Sequence, residues 1–316
     1  MNWLIRFYAR LPVWAQHVLI SAKGLDFRYR RQCDRTVRAF YGFLRESEWW
    51  DQEQFYEYQC AELRRIVRLA FEHVPYYKAL AAKLGCQPED IRRPEELRFL
   101  PLLDKSQIRG REGLFLSRKV ARWRLYRGAT SGTTGTPICT FETRQSFSRR
   151  MAFVCRLRAW AGLSEPFYPR RAQFTGRDIV ADARSRGAPI YWRWNWPGHS
   201  LLFSTSHISR NTAEHYCRAL VRLRPELIDG YPSALVVLAR LAMDLGLELP
   251  RPRAIIVTAE TLLDDWRQDI EAAFRTRVYN QYAASEPSCF WCECSAGAMH
   301  INPEYGITEI LRPDGA

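Results

Sequence analysis

Glycine, serine and threonine fill one short loop of the chain, Thr130-Ser131-Gly132-Thr133-Thr134-Gly135-Thr136-Pro137. Glycine permits tight and left-handed backbone conformations, so such a loop can turn several N–H groups into one anion-binding concavity. The four hydroxyls that precede Gly135 add further hydrogen-bond donors. The loop therefore predicts a phosphate-binding turn, although the same residue types also occur in plain surface hairpins.

This loop does not fit the Walker motif of kinases and ATPases. That motif places a lysine directly after its last glycine, because the ammonium group reaches the β- and γ-phosphates. Thr136 stands at this position, after Gly135. The functional interpretation is therefore a phosphate-binding loop in which hydroxyls and backbone amides donate the hydrogen bonds.

Strands and helices alternate after the loop. Apolar runs predict strands near residues 201–204, 227–229, 254–257 and 278–282, with helices at about 143–161 and 262–274 and from about 212 and 232. Such alternation predicts an α/β fold with mainly parallel sheets flanked by helices.

Residues before the loop show helical spacing of apolar side chains instead. Pro75 and Gly85 mark helix boundaries, and Asp104 can cap a brief helix that starts at Lys105. We therefore expect a mainly helical N-terminal region, residues 1–121, followed by an α/β nucleotide- and acyl-binding core, residues 122–316.

Composition argues against several classes of protein. The chain has 316 residues and a net charge of +13, and its arginines are spread along the whole length. A dedicated nucleic-acid arm is therefore not expected. The nine cysteines are irregularly spaced and do not suit a small disulfide scaffold, so we expect a reducing, cytoplasmic compartment.

The first twenty residues are basic and rich in aromatic side chains. Arg6, Arg10 and Pro12 interrupt the apolar residues, so no run approaches the about 20 residues that span a bilayer. Two interpretations remain open. The segment is either a helix packed on the protein's own body or a helix with weak affinity for a membrane surface.

The loop at Thr130–Pro137 resembles the signature loop of the adenylate-forming superfamily, which contains acyl-CoA synthetases, nonribosomal-peptide adenylation domains and luciferases. Ile138 stands where many members have a lysine. Val74-Pro75-Tyr76-Tyr77 and Leu100-Pro101-Leu102-Leu103-Asp104-Lys105 resemble the phenylacetate–CoA ligase-like branch, which includes the CapK-type proteins. The resemblance implies the large N-terminal core of such an enzyme.

Two further segments extend the resemblance, Gly230-Tyr231-Pro232-Ser233 and Val257-Thr258-Ala259-Glu260-Thr261. The first is similar to the loop that opens a helix beside the acyl pocket, which implies that Tyr231, Pro232 and Ser233 contact the acid. The second is similar to the segment that lies along the adenine, through Ala259 and Glu260.

A third segment, Tyr282-Ala283-Ala284-Ser285-Glu286, is similar to the family motif Tyr-Gly-x-Thr-Glu, with alanine for glycine and serine for threonine. The resemblance implies that Tyr282 lies near the adenine, that Ser285 touches phosphate and that Glu286 holds Mg²⁺ on ATP. Nucleotide binding is implied for Thr130, Ser131, Gly132, Thr133, Thr134 and Gly135, and catalytic roles for Thr130 and Glu286.

The resemblance implies ATP-dependent activation of a carboxylic acid to an acyl-adenylate, followed by transfer to coenzyme A. Members of the family use a lysine from a C-terminal lid domain, and the last lysine here is Lys119. We therefore expect a fragment truncated before the lid. The alternative is a non-catalytic nucleotide- or acyl-binding relative linked to capsular polysaccharide biosynthesis.

Three other groups of residues have both a structural and a functional interpretation. His207 either faces the acyl carboxylate or has a structural role. The set Cys289, Cys292, Cys294 and His300 suits zinc by residue type, but it is also consistent with unpaired cysteines. The alternating tryptophans of residues 192–196 form either a buried sheet face or hairpin, or an aromatic wall for a flat substrate.

Overall fold

The computed structural model describes residues 3–129, 138–176, 179–180, 190–284 and 286–310. The chain forms two compact units. The first unit comprises Met1–Arg30, Val154–Tyr282 and Trp291–His300, and the second comprises Arg31–Phe153, Ala283–Phe290 and Ile301–Ala316.

The α-helices of the described residues are, in chain order, α1 (Trp3–Arg10), α2 (Val13–Arg31), α3 (Asp34–Ser47), α4 (Gln52–His73), α5 (Pro75–Leu84), α6 (Lys105–Ile108), α7 (Arg144–Trp160), α8 (Ala213–Leu223), α9 (Pro232–Asp244) and α10 (Asp264–Phe274). The strands are β1 (Leu125–Ala129), β2 (Cys139–Thr143), β3 (Arg171–Phe174), β4 (Trp192–Asn195), β5 (Ser200–Phe203), β6 (Leu227–Gly230), β7 (Ala254–Thr258), β8 (Val278–Ala283), β9 (Phe290–Glu293) and β10 (Met299–Ile301).

A mixed sheet organises the first unit. Its strand order in the described residues is β10-β9-β8-β7-β6-β3-β5-β4, in which β5, β3, β6, β7 and β8 run parallel and β4 pairs antiparallel with β5. Strand β7 has the sequence Ala-Ile-Ile-Val-Thr and buries its first four side chains, as expected for a strand covered on both faces. The predicted α/β fold with a mainly parallel sheet is confirmed.

Helix α2 packs against the edge strand β4 of the first unit. The hydroxyl of Ser21 donates to the Trp194 carbonyl over 3.1 Å, and the Trp194 N–H donates to Nδ1 of His17 over 3.1 Å. Buried Arg193 donates to the Gln16 side chain over 2.7 Å. Burial, with the charge of Arg193 as a second cause, lowers the pKa of His17, which favours the neutral ring that can accept this bond. One face of α2 thus packs on the protein's own body, as the first of the two interpretations predicts.

The alternating tryptophans form a hairpin arm. Trp192 and Trp194 pack against the core of the first unit, whereas Trp196 is 53% exposed in the turn that leads to β5. The structure therefore supports the interpretation of this segment as a hairpin and not as an aromatic surface for a flat substrate.

Helix boundaries in the second unit follow the predicted signals. Helix α5 begins at Pro75 and ends at Leu84, and its C-cap Gly85 has a left-handed φ of 65°. The side chain of Asp104 caps α6 by accepting from the Ser106 N–H over 2.8 Å. Strands β1 and β2 form an antiparallel pair in which Ala129 lies opposite Cys139. In the described part of the chain, no helix is both long and apolar enough to cross a bilayer.

Candidate functional site

Five parallel strands of the first unit end at one edge of the sheet, because β5, β3, β6, β7 and β8 share one direction. In open α/β sheets, ligands bind at the carboxyl ends of the strands. The residues at or just after these ends are Gly176, His207, Tyr231, Pro232, Ser233, Ala259, Glu260 and Tyr282. The structure therefore brings all the described first-unit candidates to the same edge, which we call the carboxyl edge.

Tyr231 is fixed by two close backbone approaches. Its N–H donates to the carbonyl of Phe174 over 2.8 Å, across the ends of β6 and β3. A Cβ on Gly230 would lie 2.2 Å from that same carbonyl oxygen, so only glycine allows this approach. A Cβ on Gly176 would lie 2.9 Å from the Tyr231 ring. The half-buried ring therefore lies against the turn that follows β3.

The amino end of α9 carries an acidic partner. Helix α9 begins at Pro232, and the N–H of Ser233 donates to the Glu260 carboxylate over 3.2 Å. The first N–H groups of a helix lack intrahelical partners and favour negative charge, so this contact stabilises the helix start. It also connects the β6–α9 and β7–α10 loops.

Ala259 holds the β7–α10 loop in an unusual conformation. Its φ is 71°, in the left-handed region that non-glycine residues rarely adopt. Such a conformation costs about 1–3 kcal/mol and is characteristic of ligand-binding and catalytic sites. The preceding residue, Thr258, ends β7, so the strained residue lies directly at the carboxyl edge.

His207 is held by its neighbours in the loop after β5. Its Nδ1 lies 2.7 Å from the hydroxyl of Ser204, and its carbonyl accepts from Thr212 over 2.6 Å. The Ser204 carbonyl accepts from the fully buried Tyr216 phenol over 2.7 Å, and burial raises the pKa of that phenol. A chain of hydrogen bonds thus positions the ring at the carboxyl edge. This arrangement is consistent both with a structural role and with contact to the substrate.

Tyr282 presents an open aromatic surface at the end of β8. It is 57% exposed, and its ring centroid lies 5.2 Å from that of Trp291. The indole Nε1 of Trp291 is buried and has no hydrogen-bond partner among the described residues. A flat exposed ring at the carboxyl edge suits stacking against a nucleobase.

Glu286 lies in the second unit and forms an ion pair there. Its carboxylate is 3.6 Å from Nζ of Lys105, with the two side chains 33% and 67% exposed. Lys105 is the first residue of α6, directly after the Asp104 cap. Hydrogen bonds from Ser106 lower the pKa of the Asp104 carboxyl, which keeps the cap ionised.

The phosphate-loop candidates Thr130, Ser131, Gly132, Thr133, Thr134 and Gly135 lie outside the described residues, as does Ser285. What the structure describes is the two strands that flank the loop, β1 and β2, which pair over five residue positions. The assigned roles of the loop residues and Ser285 remain predictions.

The cysteine-rich segment shows no metal geometry where it is described. Among those residues, no three His, Cys, Asp or Glu side chains lie together where they could hold one metal ion. Cys292 is fully buried, and the ring of His300 lies 5.6 Å from that of Trp160.

Sequence reasoning did not identify several residues of this edge. Gly176, Ser204, Tyr216 and Trp291 contact or position the candidates without belonging to a recognised motif. Gly176 follows Phe174 by two residues, and a glycine just after a short apolar strand is the signal that could have identified it.

Comparison with known proteins gives relatives over most of the chain. It is 27% identical to Protein CapK of Staphylococcus aureus over 312 residues, covering 98% of this chain and 66% of CapK. It is 25% identical to a phenylacetate-coenzyme A ligase of Thermus thermophilus over 278 residues, covering 85% of this chain and 60% of that enzyme. The chain thus spans less than two thirds of the length of either relative. No family model matches.

A solved structure of 2-hydroxyisobutyryl-CoA ligase, in complex with 2-HIB-AMP and CoA, shares the fold. The TM-score is 0.59 at 16% identity, over 81% of this chain and 60% of that enzyme. The chain is therefore similar in sequence to CapK and to a phenylacetate-coenzyme A ligase, and similar in fold to this acyl-CoA ligase.

Proposed function

We propose that the protein uses ATP to activate a carboxylic acid as an acyl-adenylate and then transfers the acyl group to the thiol of coenzyme A. The observation that carries this proposal is the meeting of Tyr231–Ser233, Ala259–Glu260 and Tyr282 at the carboxyl edge. These segments are far apart in sequence, and the sequence resemblance associates each of them with the acid or the nucleotide. The names of the relatives, a phenylacetate-coenzyme A ligase among them, support the same activity.

The first step joins the acid to AMP. A carboxylate oxygen of the acid attacks the α-phosphorus of ATP, the bond to the β-phosphate oxygen breaks, and pyrophosphate leaves with the electron pair. The carboxyl edge orients the reactants for in-line attack, which accounts for much of such catalysis. The Tyr231 ring borders the acid, and the Tyr282 ring lies beside the adenine.

The second step releases AMP. The thiol sulfur of coenzyme A attacks the acyl carbon, its proton passes to solvent, and the carbon–oxygen bond to AMP breaks. His207, held by Ser204 and Thr212, faces the edge where this carbonyl would lie. Its ring contributes to positioning the acid.

Glu286 is the residue proposed to hold Mg²⁺. A hard cation bound by one carboxylate and substrate phosphates is the usual Mg²⁺ arrangement, and the Glu286 carboxylate is accessible at 33% exposure. The ion, when bound, neutralises charge that develops on the pyrophosphate leaving group. Lys105 neutralises the same carboxylate when no metal is there. The loop Thr130–Gly135 is proposed to hold the β- and γ-phosphates.

A second candidate is a nucleotide- or acyl-binding protein without catalysis. The similarity to CapK favours this candidate, because it covers 98% of the chain and the similarity to the phenylacetate-coenzyme A ligase covers 85%. This candidate predicts ATP binding without pyrophosphate release.

Carboxylate-dependent exchange of labelled pyrophosphate into ATP distinguishes the two functions. The full-length protein is assayed with a panel of aryl and alkyl acids, beside Glu286→Gln and the matched surface variant Glu214→Gln, whose carboxylate pairs with Arg218 over 2.5 Å on α8. We expect exchange that requires an acid, is lowered about 100-fold by Glu286→Gln and is unchanged by Glu214→Gln. ATP binding with no exchange for any acid would instead support the second candidate.

A further inference from the structure

One face of α2 is exposed and apolar although the neighbouring face of the helix is packed. Trp14, Val18, Leu25 and Tyr29 are 70%, 47%, 57% and 77% exposed. At about 100° per residue they lie within roughly 60° of one another around the helix. We call these four residues the α2 stripe.

The α2 stripe cannot be covered by the contact that already holds the helix. Gln16, His17 and Ser21 make the hydrogen bonds to β4 and lie on the face that borders the stripe, with Ser21 roughly 20° from Trp14 around the helix. These bonds anchor the helix to the first unit and hold the stripe outward. Helix α1 is anchored as well, through the Tyr8 hydroxyl and the Ile179 carbonyl at 2.8 Å, while Phe7 of α1 is 56% exposed.

Charge in this segment is strongly asymmetric. Residues 3–31 contain six arginines and lysines but a single acidic residue, Asp26, which pairs with Arg30 over 2.6 Å. Arg10 at the end of α1 and Lys23 of α2 are both exposed. A basic helix segment with an exposed apolar face has the character of helices that lie in the plane of a membrane interface.

The order of residues along the α2 stripe suits a bilayer surface. Trp14 and Tyr29 stand at its two ends, roughly 22 Å apart along the helix axis, with Val18 and Leu25 between them. Indole and phenol side chains favour the headgroup level of a bilayer, and aliphatic side chains favour the layer beneath. A helix lying flat places all four at this boundary.

A second copy of the chain fits this surface less well than anionic lipid does. Two copies would bring together two segments with the same excess of positive charge, and each chain carries a net charge of +13. An anionic headgroup layer attracts each nearby lysine or arginine by about 1 kcal/mol. Charge complementarity therefore selects the lipid.

We propose that α1 and α2 dock the protein on the surface of a bilayer that contains anionic phospholipid, with the α2 stripe inserted among the headgroups. The association is peripheral, because one helical face enters the interface while the adjacent face stays bonded to β4. This proposal is independent of the proposed chemistry at the carboxyl edge.

The test is co-sedimentation of the full-length protein with vesicles of phosphatidylcholine, with and without phosphatidylglycerol. We expect binding to the mixed vesicles that weakens as salt is raised, and little binding to phosphatidylcholine alone. The double variant Trp14→Ser, Leu25→Ser should bind the mixed vesicles roughly tenfold more weakly, since it removes two inserting side chains.

Two matched control variants distinguish binding through the α2 stripe from nonspecific binding by exposed apolar side chains or by net charge. Trp49→Ser, Leu84→Ser removes an equally exposed tryptophan and a leucine from the second unit, at 84% and 47% exposure. Arg251→Glu, Arg253→Glu makes the same change in net charge as Arg10→Glu, Lys23→Glu, but in the exposed segment just before β7. Of these two charge-reversal variants, only Arg10→Glu, Lys23→Glu should lower vesicle binding several-fold.

Equal binding by the stripe variant and the wild type would overturn the proposal. So would self-association in solution that the stripe variant abolishes, with no binding to any vesicle, because a second copy would then occupy this face. Circular dichroism of each variant confirms that the fold is retained, which is expected because every substituted side chain is exposed.

Discussion

The N–H of Ser233 donates a hydrogen bond to the carboxylate of Glu260 over 3.2 Å. This bond joins the segment assigned to the acid with the segment assigned to the adenine, across the ends of β6 and β7. It places a negative charge at the amino end of α9, where the helix dipole favours it. The two segments proposed to bind the acid and the adenine are therefore coupled by one contact.

Substitution of Glu260 tests this coupling. Glu260→Ala removes a charge-assisted contact worth about 1 kcal/mol, so we expect KM for ATP to rise about fivefold with a smaller change in kcat. Glu260→Gln retains an acceptor and should have about half that effect on the logarithm of KM. The control is Glu248→Ala, an exposed carboxylate before β7 at the other edge of the sheet. Equal KM values for Glu260→Ala and Glu248→Ala would contradict the coupling.

Gly230→Ala tests the close approach of β6 and β3. The new Cβ would lie 2.2 Å from the Phe174 carbonyl oxygen, which is backbone and cannot rotate away. We expect the free energy of unfolding to fall by about 2–3 kcal/mol. The matched control is Gly42→Ala in α3, where the added Cβ has nothing within 4 Å. That variant should be more stable than wild type by about 0.5–1 kcal/mol, since alanine is the better helix former.

Urea unfolding of both glycine variants measures this contrast. The free energy of unfolding should fall for Gly230→Ala and rise for Gly42→Ala. Unfolding free energies that move in the same direction for the two variants would show that the approach at Gly230 is less tight than the structure has it.

The Lys105–Glu286 pair makes a prediction about Mg²⁺. If Glu286 binds the metal as proposed, Lys105 competes for the same carboxylate at 3.6 Å. An exposed ion pair contributes up to about 1 kcal/mol, so Lys105→Met should lower the Mg²⁺ concentration for half-maximal exchange by up to about fivefold. Glu286→Gln should raise that concentration. A half-maximal concentration that both variants leave unchanged would place the metal elsewhere.

The pH dependence of stability tests the contact between α2 and β4. The folded-state pKa of His17 is lowered from 6.5, chiefly by burial and also by Arg193, so the folded state binds fewer protons than the unfolded state. Protonation therefore favours unfolding. His17 should leave stability unaffected above about pH 6.5 and reduce it as the pH falls below that value.

His17→Asn supplies the comparison for this prediction. The asparagine amide oxygen can accept the Trp194 N–H at any pH, so the variant should lose less stability than wild type in acid. Unfolding free energies of the two proteins measured from neutral to acidic pH provide the check. Parallel curves would mean that His17 does not titrate with folding.

Local signals in the sequence were sufficient for most helices and for the buried strands. Pro75, Gly85, Asp104 and Pro232 act through their own backbone geometry or capping bonds, so their effect is readable without tertiary information. Strand β7 was predictable because a strand buried on both faces is continuously apolar.

Strand β3 was not predicted although it lies between β6 and β5 near the middle of the sheet. It has only four residues, and Arg171 and Gln173 alternate with Ala172 and Phe174. The side chains of Arg171 and Gln173 contact Asp229 of β6 at 3.4 Å, so their polar character is accommodated by a tertiary partner. Since Gly176 follows this strand, its contact with the Tyr231 ring was missed for the same reason.

Resemblance to a family located the candidate site, and the strand order then explained it. Ala259 shows the difference, because nothing in the residue type announces a φ of 71°. The Ser204–His207 contact likewise depends on the fully buried Tyr216 from α8. Such arrangements are imposed by neighbouring elements and are not encoded in the local sequence.

A carboxylate that attacks the α-phosphate of ATP gives one of its oxygens to AMP, so oxygen transfer measures the proposed reaction directly. An acid that supports exchange is labelled with heavy oxygen in both carboxylate positions and turned over with ATP and coenzyme A, and the products are analysed by mass spectrometry. The account predicts one labelled oxygen in each AMP and none in pyrophosphate, because the bridging oxygen stays with AMP when the thiol attacks. Unlabelled AMP, or label in inorganic phosphate, would contradict it.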